Sequence, residues 1–222
     1  MGELSIFVDE SGSDDLRSQR YLVSLVFHDQ SKPIDEAIGR YELSLREKGL
    51  PNIPFHASPL MNGKDEYEFI DMAERKRLLA AFFVFARSLP ITYRVFVYQS
   101  KDFTPASLRV AMERDIRLFM TDNLSLFQSF EVVKIYYDGG QSAVTQSLHG
   151  AVESVLAKRA FLFRKSSATQ YRLSQVADFI CTIELTALKY EAAEQTQTDD
   201  KVFGMKGSFK KNYLKKMRRL AI

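Results

Sequence analysis

Residues 6–13 read IFVDESGS: three apolar residues, two adjacent carboxylates at Asp9 and Glu10, then Ser11 and Gly12. Apolar residues alternate from Leu4 through Ile6 to Val8, so residues 3–9 are predicted to form a strand with Ser5, Phe7 and Asp9 on its other face. Acidic residues are disfavoured in strands, and neighbouring like charges repel unless a proton or a cation lies between them. The pair at Asp9 and Glu10 therefore asks for a positive partner at the strand's carboxyl end.

Working outward, YLVSLVFH (residues 21–28) is predicted as a second strand, joined to the first by turn-forming residues as an antiparallel neighbour. Apolar residues at helical spacing from Ile34 to Leu45 and the Phe- and Leu-rich stretch over 66–88 predict two helices, so a helical insertion spans about 29–90. ITYRVFVYQ (91–99) alternates and predicts a third strand, followed by a helix from about 105 to 123. FEVVKIYY (130–137) predicts a fourth strand ending at Asp138, with Gly139 and Gly140 turning the chain into a helix that runs to about 158. AFLFRKS (160–166) reads as a short fifth strand and residues 173–193 as a long helix, with Ser167 or Ser174 near its start and Asp178 in its first turns.

Three sequentially remote acids thus occupy comparable places: Asp9 and Asp138 at strand ends, and Asp178 early in the last helix. Ligands of open sheets collect beyond the carboxyl ends of parallel strands, so adjacent first and fourth strands would bring Asp9 and Asp138 together. A cluster of oxygen ligands selects Mg²⁺ or Mn²⁺ over Zn²⁺. Two such ions would clamp an in-line phosphoryl displacement, with Asp9 bridging them.

The motifs FVDESGS, YYDGGQS and SQVADFI resemble those of domain-of-unknown-function family 3800, which is placed in the ribonuclease-H-like superfamily. The resemblance spans nearly the whole chain. It implies an α/β fold with a ribonuclease-H-like mixed five-stranded sheet flanked by helices, in which Asp9, Asp138 and Asp178 match metal-binding acids and Glu10 is an accessory ligand or water positioner. The superfamily's second acid comes from the first helix after the three-stranded meander, where Glu113 in VAMERDI stands by approximate position. The expected activity is a divalent-metal-dependent nuclease, with catalytic Asp9, Glu10, Asp138 and Asp178. The rival expectation is a non-catalytic module on the same fold that binds nucleic acid or protein.

A chain of 222 residues with 45% hydrophobic content can bury one full core, so residues 1–222 are expected to form a single domain. The net charge, 31 − 28 = +3, says little by itself, but eight Lys and Arg follow Asp200 with no acid among them. This basic segment, about 201–222, suits phosphate tracking, with Lys210 and Lys211 as substrate-binding candidates and Phe203, Phe209 and Tyr213 available for packing or base stacking. His56 in PFHASPL is the further candidate for contact with a phosphate or for moving a proton. One cysteine, Cys181, excludes an intrachain disulfide and reads as a small buried residue. No signal segment and no membrane span are expected, which gives a cytoplasmic protein as the default.

Overall fold

The computed structural model describes residues 2–12, 18–137, 142–156, 160–164 and 171–222, the last strand by its backbone alone. Asp138, Gly139, Gly140 and Ser167 lie outside the described residues. The architecture is mixed α/β. Strands β1 (Glu3–Ser11), β2 (Arg20–Asp29), β3 (Ile91–Gln99), β4 (Val132–Tyr137) and β5 (Ala160–Arg164) lie in the order β3-β2-β1-β4-β5. β1, β2 and β3 form an antiparallel meander, with Asp9 opposite Ser24, while β4 runs parallel to β1, with Phe7 beside Tyr136.

Strand alternation decides the two layers. Leu4, Ile6 and Val8 enter a core with Val23, Leu25 and Phe27, whereas Phe7 and Val26 enter the core on the opposite face. β2 is buried from Tyr21 to His28 because its neighbours pair both of its edges and helices cover both of its faces. The first face is covered by α4 (Pro105–Asp122), α5 (Leu124–Gln128) and α6 (Ser142–Val155). Thr104 caps α4, accepting the Ser107 amide at 3.2 Å, with Pro105 in the first position, where its missing N–H costs nothing.

The insertion between β2 and β3 is helical as expected, and packs on the second face. It comprises α1 (Asp35–Glu47), α2 (Ala57–Asn62), a single 3₁₀ turn at Asp65–Tyr67, and α3 (Met72–Ser88). α3 begins six residues later than its periodicity predicts, because the Asp71 carboxylate accepts the Glu74 amide at 2.8 Å and fixes the helix start there.

The last long helix, α7 (Arg172–Glu191), lies on this same face across β1 and β2. No side chain caps it: it starts after Tyr171, and Ser174 sits inside its first turn with a buried hydroxyl. After α8 (Gln197–Phe203), the basic segment coils through short helical pieces from Lys206 to Leu220. Phe203, Phe209, Leu214 and Met217 are buried in the core, and Ile222 donates its amide to the Tyr93 carbonyl at 3.0 Å. Base stacking on Phe203 or Phe209 is therefore ruled out, since neither ring has an exposed face.

Candidate active site around the middle of α7

The carboxyl end of β1 is built by backbone constraints before any chemistry is added. Gly12 leaves the strand at φ +106°, and a Cβ there would come within 2.6 Å of the Arg20 carbonyl oxygen, so the DESG turn demands glycine for both angle and space. One turn of α7 is pinned to this strand end. The buried Ser24 hydroxyl donates to the Ala177 carbonyl at 3.1 Å, and the Cys181 thiol lies 3.5 Å from the Asp9 carbonyl.

Burial pushes Cys181 well above the ordinary thiol range, and the negative charges of Asp9, Asp178 and Glu10 push it further. Cys181 is accordingly an inert spacer, as a small buried residue. Asp9 and Glu10 leave the strand on opposite faces by its two-residue period, Asp9 on the face that α7 covers.

Asp178 takes part in a second constraint that the sequence does not announce. Three consecutive amides of the PFHA segment are held by side chains: Phe55 donates to Gln175 Oε1 at 3.1 Å, His56 to the Tyr67 hydroxyl at 3.2 Å, and Ala57 to Asp178 Oδ2 at 2.7 Å. Gln175 and Asp178 are three residues apart on α7, hence on one helix face, and each satisfies one amide of the loop. Tyr67 completes the clamp by donating its hydroxyl hydrogen to the Pro54 carbonyl at 3.0 Å. The result is an exposed His56 imidazole on an immobilised backbone next to Asp178. Burial pushes the Asp178 carboxyl above the usual carboxylate range; the Ala57 amide and then His56 act in the opposite direction.

The Asp9 backbone, Asp178 and His56 thus meet along one turn of α7, while Glu10 lies on the opposite face of the strand. Glu113 is set eight residues after Pro105, about 12 Å along α4, with its carboxyl over Gly150 of α6. Lys210 and Lys211 are exposed on the coiled basic segment. Asp138 falls outside the described residues; β4 is described to Tyr137, next to the residue that pairs with Phe7. Among the described residues, no three His, Cys, Asp or Glu side chains gather closely enough to hold a metal ion. Beyond the strand end, a cavity of about 360 Å³ opens between Ser11, Gly12 and Lys189, with Arg20 on its wall paired to Glu194.

No family model matches the chain, and no curated protein matches it. The likeness to family 3800 rests on three short motifs alone. Among solved structures, a chain in the PCNA:RNase HII complex from Archaeoglobus fulgidus aligns over 87% of this chain and 90% of its own length, at 11% identity and a TM-score of 0.40. A likeness of that size decides neither fold family nor activity.

Gln175, Tyr67 and Ser24 are the positioning residues that sequence reading passes over. The glutamine stands in the SQVADFI motif, where a polar residue one turn before Asp178 on the same face was the available signal. No helix is long and apolar enough to cross a membrane among the described residues.

Proposed function

We propose that the protein is a divalent-metal-dependent nuclease of ribonuclease-H-like arrangement, cleaving phosphodiester bonds of nucleic acid. The observation that carries this reading is the convergence of Asp9 and Asp178 on one turn of α7, with His56 immobilised alongside. The donor set would suit a hard cation: it consists of carboxylate oxygens, and the half-buried Asp178 carboxyl is a charge whose desolvation a cation would offset. Asp9, Asp138 and Asp178 would hold Mg²⁺ or Mn²⁺, with Glu10 or Glu113 as a fourth acid. When bound, such ions activate water and stabilise the leaving oxygen.

The residues of this chain have separable tasks. The Ala57 amide fixes which Asp178 oxygen remains available, and the clamp at 55–57 holds His56 where it can contact a phosphate or pass a proton to the leaving oxygen. The exposed lysines of the basic segment attract the phosphate backbone.

The test is cleavage of single-stranded DNA, duplex DNA, RNA and hybrid in Mg²⁺, Mn²⁺ or EDTA. Cleavage should require the metal and vanish in Asp9→Asn and Asp178→Asn while nucleic-acid binding survives. Cleavage that persists in EDTA, or in both variants, would reject the mechanism. Binding without cleavage of any substrate would leave the non-catalytic binding module as the function.

A further inference from the structure

A second cleft, of about 380 Å³, opens at the other end of β1 between that strand, α1 and the start of α7. It lies along the same strand as the carboxylates: Glu3, at its far edge, is six residues or about 20 Å from Asp9, and Phe7, at its base, is two residues or about 7 Å from it. Its base is aromatic. Phe7 and Tyr136 stack at 4.7 Å with planes 9° apart, and Tyr171 leans on both rings at about 50° while keeping 38% of its surface exposed. α1 adds Ile34 and Ile38 to the lining. This is a cleft for a flat, apolar-faced ligand.

The polar groups around it are sorted by what they already do. The His28 ring bonds the Lys32 carbonyl through Nε2 and the Gln30 amide through Nδ1. Gln30 gives its amide hydrogens to Ser5 and His28, and Arg172 gives its own to Glu42, Asn52 and Gln175. Lys134 pairs with Glu3. These bonds engage both Gln30 amide hydrogens and pair Arg172 and Lys134 with carboxylates. The lining still offers the acceptors Gln30 Oε1 and the Asp35 carboxylate, with the Tyr171 ring and hydroxyl. Such a rim rewards N–H groups.

We infer that this cleft binds an unpaired nucleobase carrying an exocyclic amino group, namely adenine, cytosine or guanine, with its ring stacked on Tyr171 and its amino group donating to Gln30 or Asp35. The base enters, and its sugar and phosphate stay in solvent at the mouth of the cleft. The inference stands on the cleft's own chemistry and is independent of metal-dependent cleavage.

Isothermal titration of the full-length protein in EDTA with adenosine, cytidine, uridine, oligo(dA) and oligo(dT) tests it. Saturable binding of adenosine and cytidine is expected, with uridine weaker, since it lacks the amino group. Tyr171→Ala should weaken binding about tenfold or more, Tyr171→Phe should retain it, and Asp9→Asn should leave it unchanged. Circular dichroism of each variant establishes that it is folded, and Ile38→Asp supplies a second block of the cleft should Tyr171→Ala unfold. Tighter oligo(dA) than adenosine binding identifies the source as a strand, and equal affinity identifies a free nucleoside; both support the site. No saturable binding of any probe, undiminished binding in folded Tyr171→Ala and Ile38→Asp, or uridine binding as tight as adenosine would overturn it.

Discussion

At the scale of single residues, Asp178 sets stability against function. Burial raises its carboxyl above the ordinary range, so the folded protein holds that proton more tightly than the unfolded chain does. Its contribution is then fully present below the unfolded carboxylate range and is lost as pH rises through the folded value. In a metal-free buffer, Asp178→Asn should therefore be more stable than wild type at neutral pH, by a margin that closes as pH falls. The amide oxygen still accepts the Ala57 N–H, whereas Asp178→Ala forfeits that bond and should show no such gain. Urea denaturation of the three proteins from acid to neutral pH checks this, and parallel wild-type and Asp178→Asn curves would show that the carboxyl is not under strain.

At the scale of elements, α7 joins parts of the molecule that the chain keeps far apart. Gln175 and Phe55 are separated by 120 residues, yet the glutamine oxygen is the partner of a buried amide. Gln175→Ala should cost about 1–3 kcal/mol in denaturant titration, since it strands that amide, and should speed hydrogen exchange at residues 55–57. Unchanged exchange there would show that the loop is held without α7. The same helix shows what the sequence makes legible. The period-two face of Leu4, Ile6 and Val8 and the alternation of 91–99 are local, so β1 and β3 could be read directly. The end of β1 was less legible: the strand runs on to Ser11, because Asp9, Glu10 and Ser11 still pair with β2, so the acids stand inside it and not at its end. The clamp on His56 was not legible, because its three partners come from α7 and from the turn at Tyr67, and spacing within PFHASPL carries no information about them. The start of α7 was read to within one residue from its apolar periodicity, although no side chain marks it and Ser174, which resembles a cap, lies inside the helix.

At the scale of the whole molecule, the basic segment is part of the fold and also presents a run of exposed lysines. Removing residues 206–222 would take Phe209 and Met217, both fully buried, out of the core, so a truncation would report unfolding instead of electrostatics. Charge-neutralising substitution separates the two roles. Lys206, Lys210, Lys211 and Lys215 are exposed, whereas Lys216 lies over the Phe83 ring and Arg218 pairs with Glu184 at 2.7 Å. α8 packs against α2, the helix that His56 precedes, which connects this segment to the candidate site. Each phosphate neutralised by a lysine releases counterions and adds about 0.7 to 0.9 to the slope of log affinity against log salt. Changing the four exposed lysines to Gln should thus flatten the slope by up to about 3.6 units with the thermal midpoint nearly unchanged. Arg218→Gln should do the reverse, lowering the midpoint through loss of the Glu184 pair while leaving the slope close to wild type. Fluorescence anisotropy across a salt series, paired with thermal melts of each variant, measures both quantities, and an unchanged slope in the folded quadruple variant would show that these lysines face only solvent.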